Sequence, residues 1–207
     1  MTYINPHIFR AYDIRGIAMR EDGTTPDLTV ESSYIIGIAT GRYMKQISPL
    51  SQKLIVGRDN RLTGPALQEA YIKGLIESGC TVDNAGLATS PMIYWATCAL
   101  QYDGGINITA SHNPKEYNGI KIVAKGAHSI CGDELQEILK IAQEVVQEKA
   151  SIEIPQTPIP PETPISQEYI EDLLHRAHLH RPLKIVIDAG NATTGAFAPE
   201  LFKKFGC

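Results

Sequence analysis

A chain of 207 residues, 43% hydrophobic and 20% charged, is long enough for one well-cored domain and part of a second. Its 19 basic and 23 acidic residues give a net charge of −4, and nucleic-acid binders usually carry the opposite excess. No apolar run approaches a membrane span, and the opening Met1-Thr-Tyr-Ile-Asn-Pro-His7 lacks a secretory pattern. A cytoplasmic protein with no nucleic-acid and no membrane partner is therefore expected.

Along the chain, Phe9-Arg-Ala-Tyr-Asp-Ile-Arg-Gly16 comes first, with two arginines and a terminal glycine. A helix is predicted from about Pro26 to Met44, capped by Thr24 or Thr25. Gly37 and Gly41 weaken it but put two small residues on one face, where another element can pack closely. Leu54-Ile-Val56 reads as a buried strand ending in Gly57. Thr63-Gly-Pro65 opens a helix that carries Leu67, Tyr71 and Leu75 at helical spacing and stops at Gly79. A strand at Thr81–Asp83, a helix at Pro91–Leu100 and strands at Gly105–Ile108 and Tyr117–Val123 follow. Asp133–Glu148 is a strongly amphipathic helix with Leu135, Ile138, Leu139, Val145 and Val146 on its apolar face.

Residues 151–165 hold five of the 13 prolines, which remove amide donors and block helix. Beyond them lie a predicted helix from Gln167 to about His180, a strand at Leu183–Asp188, a turn at Ala189–Ala192 and a helix at Thr194–Phe205. The alternation predicts an α/β fold: a mixed, mostly parallel sheet sandwiched by helices over residues 1–150, a Pro-rich linker at 151–165, and the start of a second similar domain at 166–207. One strand with two helices cannot bury both faces of a sheet, so the second domain is expected to be incomplete. Cys80, Cys98, Cys131 and Cys207 are too widely spaced for a zinc or disulfide pattern and read as reduced thiols. His175, His178 and His180 read as a solvated helix end, because only His175 and His178 share a face and no carboxylate stands in register.

The segment richest in chemistry is Ile108-Thr-Ala-Ser-His-Asn-Pro114. It leaves the C-terminal end of a predicted strand, where open α/β sheets place their active sites. A hydrolase serine needs a base in reach and an oxyanion hole, but Ser111 and His112 are sequence neighbours, which point apart on an extended backbone. No Gly-x-Ser-x-Gly elbow surrounds Ser111 either. The plain alternative is a tight loop whose polar side chains satisfy their own backbone. Arg10, Arg15, Arg58, Arg61 and Lys121 lie on flanking segments, and such a set of cations in an acidic chain suits an anionic ligand such as phosphate. A phosphoserine carries about −1.5 to −2 charges and needs such partners or a divalent cation.

Taken together and in order, Phe9–Gly16, Gly57–Gly64, Thr109–Pro114 and Tyr117–Lys121 resemble the N-terminal domain of the α-D-phosphohexomutases, and Val186-Ile-Asp-Ala-Gly-Asn191 resembles the opening of their second domain. The Phe-Arg-Ala-Tyr-Asp-Ile-Arg-Gly form is most similar to the bacterial phosphomannomutase/phosphoglucomutase branch. Phosphoglucosamine mutases, an alternative, usually carry Gly-Thr-Asp-Gly-x-Arg-Gly there. The resemblance implies interconversion of hexose 6-phosphate and hexose 1-phosphate through a phosphoserine at Ser111 and a hexose 1,6-bisphosphate. It also implies Ser111, Lys121, His112 and Arg15 as catalytic residues, Lys121 as a general acid/base, and Tyr12, Arg15, Asn113 and Lys121 as contacts to a phosphosugar. Mg²⁺ would be held through the phosphate of Ser111. A lysine set among arginines would be pressed by like charge toward a form that takes up a proton. The Asp-Gly-Asp-x-Asp-Arg loop of the family is absent, so little or no activity is expected of these 207 residues alone. Ala192 stands where the family often has glycine, which puts a tight backbone approach in doubt. The competing readings are a non-catalytic remnant that binds a partner chain through its exposed second-domain surface, and a serine hydrolase; the missing C-terminal domains or a second copy of the chain are the expected protein partners.

Overall fold

A computed structural model describes residues 4–49, 52–149 and 151–207; Met1–Tyr3, at the start read as non-secretory, and residue 150, at the expected domain edge, lie outside the described residues. The described strands are β1 (Ile14–Ile17), β2 (Lys53–Arg58), β3 (Thr81–Leu87), β4 (Gly104–Ile108), β5 (Tyr117–Ala124) and β6 (His128–Ser129). The helices are α1 (Val30–Ile47), α2 (Gly64–Glu77), α3 (Ser90–Ala99), α4 (Asp133–Glu148), α5 (Ser166–Arg176) and α6 (Ala198–Lys204). The sheet runs β1-β5-β4-β2-β3, with β6 paired to β5. β2 is parallel to β3 and to β4, while β5 is antiparallel to β4, β1 and β6. Hence β5 alone runs against the rest, and the sheet is mixed and mostly parallel as the alternation predicts.

Strand alternation divides the core. Leu54 and Val56 of β2, Ile106 and Ile108 of β4, and Ile120 and Ile122 of β5 join one large apolar cluster with α1, α2 and α4. Ile55, between Leu54 and Val56, points to a smaller cluster with Met92, Ile93 and Ala96 of α3 and with Ile165. α1 is buried along nearly its whole length. A Cβ on Gly37 would run into the Tyr71 carbonyl oxygen, and one on Gly74 into that of Tyr34. α1 and α2 therefore meet backbone to backbone, as the small residues on one face of the sequence suggest.

Boundaries differ where tertiary contacts compete with local signals. α1 starts at Val30 instead of Pro26, capped by Thr29 in a reciprocal pair with Ser32. The preceding residues are tied to β1: Asp27 accepts from Asn5 and Arg20, and Ile17 O accepts from the Asp27 and Leu28 amides. β1 itself, short and inside the arginine motif, is not among the predicted strands. The 151–165 segment is extended as proline dictates, but it is a strap. Thr163 N donates to Asn84 O at 2.7 Å, Glu162 bridges to β3 in parallel, and Ile152, Ile154 and Ile159 pack on the large cluster.

Two predictions beyond the strap are corrected. Residues 183–188 form no strand, and Val186 is 92% exposed. A strand is completed by ladder bonds to a neighbour, and no described strand lies beside this run. The predicted helix at 194–205 divides into a 3₁₀ turn, Thr193–Ala196, and α6. α5 ends at Arg176, so His178 and His180 lie past it; both are exposed, as is His175. α5 is seated on α3: Trp95 Nε1 donates to Asp172 at 2.9 Å and meets the Tyr169 ring edge-on with centroids 5.5 Å apart.

Candidate active site

The loop between β4 and β5, residues 109–116, opens at the C-terminal edge of the parallel strands β2 and β4. Its backbone folds on itself: Ser111 N donates to Thr109 Oγ1 at 3.0 Å, Asn113 N to Ala110 O at 3.1 Å and Tyr117 N to Pro114 O at 3.1 Å. Ser111 has a φ of 55°, in the left-handed region that few non-glycine residues adopt. That turn overrides the extended geometry assumed from sequence. The Ser111 and His112 side chains do not point apart: Oγ lies 2.9 Å from Nδ1. With the ring proton on Nε2, His112 accepts the serine hydroxyl's hydrogen. Among the described residues no carboxylate pairs with His112, so the third member of a hydrolase triad is not in place.

Two arginines from earlier in the chain hold this loop. Arg61 Nη1 donates to Pro114 O at 2.6 Å and Tyr117 O at 2.9 Å, and its Nη2 to Ser111 O at 3.1 Å and Asn113 O at 2.7 Å. Its Nε meets Asp59 Oδ2 at 3.2 Å, and the same oxygen accepts from Thr109 Oγ1 at 2.7 Å. Arg15 Nη1 donates to Ala110 O at 2.6 Å and Asn113 Oδ1 at 2.8 Å. Its Nη2 lies 2.5 Å from Asp13 Oδ2, which also takes Lys121 Nζ at 2.7 Å. Arg58 pairs at 3.1 Å with Glu162 of the strap, and among the described residues it makes no hydrogen bond or ion pair to the serine loop.

Arg61 and Arg15 brace the loop, and Lys121 shares the Asp13 carboxylate with Arg15. Asp13 was overlooked by the sequence reading, although its position two residues before Arg15 carried a signal: alternate residues of an extended chain share a face. Tyr12 is 77% exposed and lines no part of the cleft described next.

Ser111, His112 and Asn113 line an open cleft of about 880 Å³, together with Lys115, Arg61, the first turn of α3 and the turn at residues 189–194. That turn is tied across the cleft mouth. Asn60 N donates to Thr193 Oγ1 at 3.1 Å, and Asn60 Nδ2 to Asn191 O at 2.8 Å. Ala192 sits at φ −96° and ψ 172°, which alanine adopts freely; the left-handed positions are Gly190 and Asn191. Asn107, 1% exposed, donates to Ser90 Oγ at 2.9 Å beneath the cleft, and its Oδ1 is buried without a partner among the described residues.

For Mg²⁺ the donor set falls short. Among the described residues no three His, Cys, Asp or Glu side chains come together. The carboxylates beside the loop, Asp13 and Asp59, are already engaged by Arg15, Lys121, Arg61 and Thr109. These residues do not form a metal site by themselves. No described helix is long and apolar enough to cross a membrane.

Residues 6–149 match the family described as phosphoglucomutase/phosphomannomutase, alpha/beta/alpha domain I. A phosphoglucomutase of Neisseria gonorrhoeae is 39% identical over 208 residues, an alignment covering 100% of this chain and 42% of that protein. A phosphomannomutase/phosphoglucomutase of Pseudomonas putida is 36% identical over 202 residues, covering 97% and 40%. The crystal structure of a phosphoglucomutase/phosphomannomutase family protein from Burkholderia thailandensis superposes with a TM-score of 0.83 at 35% identity, over 99% of this chain and 43% of that one. The chain thus spans about two fifths of the length of the relatives it matches.

Proposed function

This chain belongs to the phosphoglucomutase/phosphomannomutase family, and on that basis we propose that Ser111 carries the phosphate of a hexose phosphate mutase. The observation that carries the reading is the serine's setting. Ser111 stands exposed at the mouth of a cleft, on a left-handed turn, with its hydroxyl against His112 and its loop clamped by Arg15 and Arg61. Phosphoryl transfer depends mainly on alignment and charge neutralisation, so a rigid loop with nearby cations suits it.

The proposed cycle has two transfers. The bond between Ser111 Oγ and phosphorus breaks as a hydroxyl of hexose 6-phosphate or hexose 1-phosphate bonds to that phosphorus; the hydroxyl's proton passes to a base, and Ser111 Oγ takes a proton from His112. The resulting hexose 1,6-bisphosphate then returns its other phosphate to Ser111 Oγ, and the leaving sugar oxygen takes the proton back from that base. His112, 2.9 Å from Oγ, receives the serine's proton in this second step. Lys121 is assigned the substrate-side acid/base role by the family resemblance; it is half-buried and joined to the loop through Asp13 and Arg15. Asn113 and Arg15 would face the phosphosugar, and Tyr12, exposed, would reach it only from the rim. Mannose, glucose and glucosamine phosphates all fit this scheme. Mg²⁺ would meet the phosphate of Ser111. By itself the 207-residue chain is expected to turn over little substrate.

The test is a chimera joining residues 1–207 to the remaining length of the Neisseria relative. Conversion of glucose 1-phosphate or mannose 1-phosphate to the 6-phosphate, abolished by Ser111→Ala, supports the reading. An intact, folded chimera with no conversion overturns it. One observation favours a second reading, a role in association: Val186 is 92% exposed within an apolar run. Sedimentation of the chain alone tests it, and a monomer at high concentration rejects self-association.

A further inference from the structure

Asp13 is 8% exposed and places one carboxylate oxygen between two cations, Arg15 at 2.5 Å and Lys121 at 2.7 Å. Arg15 in turn grips Ala110 O and Asn113 Oδ1, one residue before and two residues after Ser111. Two cations beside one carboxylate leave an excess positive charge next to the serine loop. A phosphate on Ser111 would bring about −1.5 to −2 charges to the loop that Arg15 grips. It would then compete with Asp13 for the same two cations.

We propose that Asp13 is a positioning residue that serves as a resident counter-ion, holding Arg15 and Lys121 in place while Ser111 is free and yielding them in part when Ser111 carries phosphate. This rests on the reading that Ser111 is phosphorylated. The physical ground is that two like charges this close repel unless an anion stands between them, and either anion serves. In the free form Asp13 is that anion, so its removal leaves two partly buried cations uncompensated. In the phosphorylated form the phosphate takes over, and Asp13 becomes the less needed of two anions.

The test needs no mutase activity. Phosphoserine is installed at position 111 during translation, and the full chain is studied in chelator with Ser111 and with phosphoserine. Asp13→Asn is expected to lower the Tm of the free form by about 4 °C, and that of the phosphorylated form by less than half as much. Asp13→Glu, which keeps the charge, should restore most of both. Should Asp13→Asn prevent folding of the free form, Asp13→Glu is compared across the two forms instead, with a smaller loss and the same asymmetry expected. Equal losses in both forms, or a larger loss with phosphoserine, would overturn the proposal and leave Asp13 a structural carboxylate. Because the phosphate is built in, a chain that never accepts phosphate from a sugar still answers this question.

Discussion

The serine loop and the run at residues 183–188 make an instructive pair. Both lack regular secondary structure. The loop is held by Arg61, Arg15 and Thr109 through bonds that reach up to 98 residues along the chain. The run leaves Val186 in water, and no described strand completes its ladder. Polar loop chemistry can bring its own partners, whereas an apolar run becomes a strand only when another strand is beside it. A segment without helix or strand is therefore not by that fact a loose one.

The largest expected effect comes from breaking the clamp. Arg61→Met removes the donors to four carbonyl oxygens and should cost about 3 kcal/mol by urea denaturation. It should also raise amide exchange in residues 109–117 and leave 183–188 unchanged. Thr109→Val, which cuts the links to Asp59 and to the Ser111 amide, should cost about 1–2 kcal/mol, read the same way.

A change in the helical layer sharpens the contrast by showing that loop order is not a readout of global stability. Burial works to raise the Glu77 carboxyl, but its bonds to Lys149 and Tyr34 prevail and hold it below the usual carboxylate value. Its contribution is therefore present above pH about 4.3 and is lost as pH falls through the lower folded value. Glu77→Gln should cost under about 1 kcal/mol at pH 7, given its partial exposure, and nothing near pH 2. Amide exchange in 109–117 should stay as it was. Val186→Ser should be the smallest, within about 0.5 kcal/mol, since the side chain it replaces is already in water.

Much of this was legible in sequence because local and long-range signals agreed. α2 and α4 carry apolar faces that match the cores they meet, and the glycines of α1 do pack against another helix. The position of Ser111 at a strand end was legible for the same reason. What escaped depends on geometry that spacing does not encode. The Ser111–His112 contact needs a positive φ that only the folded loop imposes. The Asp13–Lys121 pair joins residues 108 apart. That Arg61 reaches four backbone carbonyls of the loop is likewise not legible, because no side-chain pattern reveals backbone partners. The missing strand at 183–188 failed differently, since the pattern was right and the partner was not beside it.

The central claim is that the loop is built to hold phosphate on Ser111. Its most direct test is the mass of the 109–121 peptide after the chain is incubated with glucose 1,6-bisphosphate and Mg²⁺. The account predicts one phosphate on Ser111, absent in Ser111→Ala and reduced in Arg61→Met. A folded chain that takes up no phosphate, or takes it up at another residue, would contradict it.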